Sequence, residues 1–295
     1  MTAAPRPFAR GWLLASCIPA LLVLGVVATA PPASPDPRPS GPATASPTDP
    51  GLSQALGQAL GQGLAAEQDG YRLDTGTTEL PAGRPNAFRF RVIGPNGAPV
   101  TAFTAHQART LHFYAIRTDL TGYQHLHPEM APDGTWTAEL ADLASGTWRL
   151  YASFVPADAR RGQELVLSRT VTVPGRAAAV TLPAPASSAT VDGYTVALRA
   201  EPMAGAHQLT ATVTRDGSPV TDLQPYLDSY AHLSAFHQGD QSLAHLHPTG
   251  TVDGDHGGPT LTFLALLGEP GDWRVFLQFQ TDGRVHTAEL TLHVD

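Results

Sequence analysis

Six histidines fall in two matching sets. His112, His125 and His127 are spaced His-x12-His-x-His-Pro, and His232, His245 and His247 repeat that spacing. Neutral imidazole offers a nitrogen lone pair at physiological pH, and three of them with an open fourth position hold Zn(II) or Cu(II). His106 precedes the first set by six residues and offers a fourth ligand there; Tyr226 stands in that place in the second. Cys17, the only cysteine, lies in an N-terminal apolar run, so the rest of the chain has neither disulfides nor thiolate ligands. Without thiolates, a divalent ion is favoured over Cu(I).

Hairpins must position these side chains. Ala231–His237 reads as a strand and Ala244–His247 as its return, with Gly239-Asp240 at the centre of a two-residue turn. That register sets His232 opposite His247 and Ser234 opposite His245. All three histidines then share one face, with Leu233 and Leu246 on the core side. In the first set His112 faces His127 and Tyr114 faces His125, across Asp119-Leu120-Thr121-Gly122, where Gly122 can shift the turn. One three-histidine site per module follows.

A plainer reading competes with it. A His-x-His pair in a β protein is often only a polar face, and duplication would copy a structural feature as well as a metal site. Such histidines would stack on Tyr114 and cap carbonyls in a non-catalytic interaction module. Clustered histidines could also repel one another on protonation and sense pH. His207, His237, His256, His286 and His293 belong to no such pattern. Glu129 could act as a base on a metal-bound water, but Thr249 replaces it in the second set. With no phosphate loop or nucleophile elbow, a binding protein is expected rather than an enzyme.

The histidines sit inside a longer repeat. Pro99–Pro128 matches Pro219–Pro248 without a gap, and Gly146-Thr147-Trp148-Arg149 answers Gly271-Asp272-Trp273-Arg274 after an insertion. The two tryptophans read as core anchors. Gly and Pro contribute 28 and 27 residues and charged groups only 15%, which suits turn-rich β structure. Strand signals recur about every 10 residues, as in a β-sandwich, and no stretch supports a long amphipathic helix. The expected class is all-β, with two tandem β-sandwich modules at 67–176 and 190–295. The net charge of −8 and the lack of a basic patch argue against a nucleic-acid partner.

Arg6 and Arg10 precede an apolar run over residues 11–30 that ends in Pro31-Pro32. Residues 1–30 therefore read as a signal peptide or, at about 20 apolar residues, a membrane anchor. Residues 31–66, rich in Pro, Ser and Ala, read as a disordered linker. The protein is expected to be secreted or membrane-anchored, outside the cytoplasm.

The stretch Ala102–Met130, and Tyr226–Pro248 after it, resembles uncharacterised exported bacterial proteins with tandem His-Leu-His-Pro modules. The resemblance covers about 30 residues of each module. Those proteins are loosely described as heavy-metal-associated and copper-linked, and the resemblance implies immunoglobulin-like sandwiches. It also implies a metal role for His106, His112, His125 and His127, and for His232, His245 and His247. Tyr226 departs from the pattern where the first module has His106.

Overall fold

Alternation of apolar and polar side chains builds the strands and decides which face each buries. In Asn86–Ile93, Phe88, Phe90 and Val92 point into the core while Arg89 and Arg91 point away. The computed structural model describes residues 63–159 and 162–295, apart from the side chains of His245 and His247. The expected leader over 1–30 and nearly all of the linker over 31–66 lie outside the described residues. Among the described residues no helix is long and apolar enough to cross a membrane.

The first module contains β1 (Glu67–Gln68), β2 (Tyr71–Thr75), β3 (Asn86–Ile93), β4 (Phe103–Thr104) and β5 (Leu111–Arg117). It continues with β6 (Gln124–Leu126), β7 (Glu129–Met130), β8 (Thr135–Leu140), β9 (Gly146–Pro156) and β10 (Leu165–Val173). One antiparallel sheet runs β1-β2-β3-β8-β7 and the other β10-β9-β5-β6. Sequential strands thus divide between two sheets in the order of an immunoglobulin sandwich, with the last two strands, β9 and β10, side by side next to β5. Phe88, Phe90, Phe113, Trp136 and Trp148 fill the space between the sheets.

The second module repeats this plan with β11 (Ser188–Val191), β12 (Tyr194–Met203), β13 (Ala206–Arg215), β14 (Ser218–Pro219) and β15 (Ala231–His237). Then follow β16 (Leu243–Pro248), β17 (Thr260–Ala265), β18 (Gly271–Thr281) and β19 (Arg284–Val294). Here β16 pairs with both β15 and β17, so the two layers join into one continuous path, β11-β12-β13-β17-β16-β15-β18-β19. In the first module the chain breaks at His127-Pro128 into β6 and β7, one in each sheet. The insertion detected in the repeat lies in the longer connection between β16 and β17.

Both hairpins have the register the spacing predicts, Tyr114 opposite His125 and Ser234 opposite His245. The second turn is longer than a two-residue loop. His237 N–H donates to the Ser242 carbonyl, Gln241 N–H donates to the His237 carbonyl, and Gln241 rather than Gly239 is left-handed at φ 64°. In the first turn Gly122 is left-handed at φ 71°, and a Cβ there would collide with Trp148. Trp148 and Trp273 are core anchors, each donating its indole N–H to a carbonyl four residues upstream.

Leu111, Phe113 and Ala115 on β5 enter their own core, and Leu233 and Ala235 on β15 enter theirs. The alternate residues are nonetheless buried, so both strands are covered on two faces. A third apolar cluster explains this. Tyr114, Ile116, Leu120, Tyr151 and Val166 of the first module pack on Phe236, Leu243 and Phe276 of the second. The two histidine-bearing sheets therefore dock face to face, the common arrangement for two half-apolar sheets.

Candidate metal centre

The docked faces bring His112, His125 and His232 together. One ring nitrogen from each lies within 4.8 Å of the others. His112 projects from β5 and His125 from β6, while His232 projects from β15 in the other module. The three-histidine group is thus shared between the modules. His112 and His232 hold equivalent places in the repeat and stack on each other, ring centroids 5.5 Å apart and 8° from parallel. Equivalent residues of the two modules thus meet at the docked faces.

Neighbouring groups fix which nitrogen each ring presents. His112 Nε2 lies 3.0 Å from the His106 carbonyl, which can only accept, so Nε2 carries the proton. His125 Nδ1 donates likewise to Gln278 Oε1 on β18 at 2.7 Å. The amide of Gln278 is oriented by its own Nε2, which donates to Thr287 Oγ1 at 3.3 Å. His112 Nδ1 and His125 Nε2 face each other at 3.0 Å. That separation suits two ligands each about 2 Å from one ion.

His232 Nε2 lies 3.2 Å from the Tyr114 hydroxyl. Burial holds the Tyr114 phenol well above its ordinary pKa, so it remains a neutral donor or acceptor. The same ring stacks on His125 with centroids 4.5 Å apart. His112 and His232 are 1% and 2% exposed, so bulk water cannot solvate a charge there.

His127 flanks the group, its ring 5.0 Å from that of His112 and 4.7 Å from that of His125. Its Nε2 is buried with no hydrogen-bond partner among the described residues. Burial, with the nearby charge of Arg109, pushes its pKa down to about 4, leaving a neutral imidazole at physiological pH. His106 contributes its backbone carbonyl to His112, and its ring nitrogen lies 3.9 Å from the buried Glu164 carboxylate. His245 and His247 occupy β16 at backbone positions opposite Ser234 and Leu264. Their side chains lie outside the described residues.

Gln278, Glu164 and Ser153 belong to this neighbourhood and escape a reading of the sequence. Ser153 sits opposite His112 on β9 and donates to Glu164 Oε1. Gln278 lies in another module, 153 residues from His125, and only docking makes it a partner. Glu129, by contrast, is exposed on β7, in the other sheet of the first module. His237 pairs with Asp240, His286 with Asp192 and His293 with Asp272, apart from the three-histidine group.

A domain of unknown function, DUF8832, matches the chain twice in tandem, over residues 66–174 and 189–295. The chain belongs to the DUF8832 family. Each DUF8832 domain spans one sandwich, so the histidine group lies between two copies of the same domain. No curated protein matches the sequence. Among solved structures, β-glucuronidase from Parabacteroides merdae is 10% identical with a TM-score of 0.22, over 77% of this chain and 25% of that one. The surface layer protein SbsC, domains 4–9, is 13% identical with a TM-score of 0.21, over 78% of this chain and 31% of that one. A marsupial T cell receptor is 9% identical with a TM-score of 0.23, over 75% of this chain and all of that one. The chain thus spans about a quarter of the glucuronidase, at 25%. Such low scores define no shared fold, and the strand order of the DUF8832 domains themselves sets their class.

Proposed function

We propose that the chain is an exported metal-binding protein that sequesters or relays divalent copper or zinc through its shared histidine centre. One observation carries the reading: His112 Nδ1 and His125 Nε2 face each other at 3.0 Å with their other nitrogens committed to carbonyls. His232 completes the set, and all three donors are borderline imidazoles suited to Zn(II) and Cu(II). The Gln278 amide beyond His125 is the kind of outer partner that orients a metal-ligating ring. His127, whose Nε2 has no hydrogen-bond partner among the described residues, stands beside the set as a further ligand. The apolar run over 11–30 supports export, and the likeness to His-Leu-His-Pro proteins described as heavy-metal-associated supports a metal cargo. The proposed role is binding rather than catalysis, since Glu129, the base considered from sequence, is exposed on β7 in the other sheet.

Calorimetric titration of the full chain with Zn(II) and with Cu(II) tests the proposal. Binding is expected to weaken at least 100-fold in His112→Ala and in His232→Ala. No binding below millimolar concentration, or unaltered binding in both variants, would sink it. A second reading is favoured by the Tyr114–His125 stack and the Tyr114–His232 hydrogen bond, which make the histidines structural glue in an interaction module. It expects the same variants to lose stability in chelator, with metal making no difference to the parent.

A further inference from the structure

We propose that the metal is a clasp: its binding at the three-histidine group and the docking of the two sandwiches are one coupled equilibrium. The inference rests on the metal-binding reading above and adds what that binding regulates. The ligands divide between modules, two on β5 and β6 and one on β15, so parting the faces dismantles the centre.

The interface around the centre belongs to neither module's own core. Tyr123 stacks on Phe276 with ring centroids 4.0 Å apart and donates to Ser234 Oγ at 3.2 Å. Gln241 accepts from the Tyr151 hydroxyl through its carbonyl. These contacts and the third apolar cluster hold the faces together, and docking buries His112 and His232 against each other. A cation held by His112, His125 and His232 would bond to nitrogens from both modules. The loaded interface therefore carries bonds across the faces that the metal-free one lacks. Linkage makes the effect reciprocal: whatever factor metal adds to docking, docking adds to metal affinity.

The test separates coupling from coordination. Phe276→Ala removes the stack on Tyr123 while leaving every histidine in place, and Phe276 lies outside both module cores. Zn(II) titration of the full-length variant is expected to show affinity at least tenfold below the parent. Zn(II) binding to the parent with unchanged affinity in Phe276→Ala overturns the clasp and leaves the metal site standing. A parent that binds no Zn(II) overturns the metal reading itself. Should the variant fail to fold, pulsed electron resonance decides on the otherwise intact chain. Spin labels are placed at Arg89→Cys and Arg199→Cys, both exposed, in a Cys17→Ser background. Zn(II) is expected to collapse a broad distance distribution into one narrow peak, and identical distributions with Zn(II) and with chelator overturn the proposal.

Discussion

Which nitrogen an imidazole presents to a ligand is set by the hydrogen bond that its other nitrogen makes. At His125 that choice is made by Gln278, whose carbonyl oxygen takes the Nδ1 proton and leaves Nε2 aimed at His112. Removing such an outer partner typically weakens a metal site about 10–100-fold without touching a ligand. Gln278→Leu is accordingly expected to lower Zn(II) affinity by about that factor, read by competition with a chromogenic chelator. An unchanged affinity would show that His125 needs no help to present Nε2. Gln278 could not be picked from the sequence, because a glutamine on a half-buried strand carries no signal until the facing module supplies its partner. The histidines could be picked, because their spacing repeats.

At the scale of the element, the hairpin between β5 and β6 carries two of the three ligands, and Asp119 braces its turn. Burial disfavours the charge on Asp119, but hydrogen bonds from Arg117, Thr121 and the Val180 backbone outweigh it and hold the carboxyl well below the usual carboxylate range. A folded pKa below the unfolded value of about 3.9 gives stability that is complete above that pH and lost as pH falls toward the folded value. Asp119→Asn is expected to cost about 2 kcal/mol near neutral pH, with the deficit shrinking as urea melts are run from pH 5 down to pH 2. A deficit independent of pH would assign the loss to packing instead. The hairpin register was legible because a one-residue slip would exchange Phe113 and Leu233 with their histidine neighbours across the sheet. The loop geometry was less legible, since left-handed φ falls on Gln241 and not on Gly239.

For the whole molecule, a ligand that binds only the docked, folded chain stabilises it by mass action. At a free concentration of 100 times Kd the gain is about 2.7 kcal/mol, or roughly 5–10 °C in Tm for a chain of this size. Scanning calorimetry with Zn(II) is expected to show that rise, and a chelator is expected to reverse it. A Tm that ignores Zn(II) would favour the structural reading of the histidines.

The all-β class, the tandem repeat, the hairpin registers and the face from which His112, His125 and His232 project were all legible in the sequence. Each of these follows from local periodicity: side chains alternate along a strand, and turn residues set the pairing. The sequence also separated the tryptophans, which enter the cores, from the histidines, which do not. Only the tertiary structure decided where that second face goes. A sheet with one side in its own core and aromatic residues on the other must find a cover, and here the cover is the same face of the other module. Docking gathers His112, His125 and His232 into a group shared between the modules. Periodicity reports which way a side chain points; it holds no information about which distant surface comes to meet it.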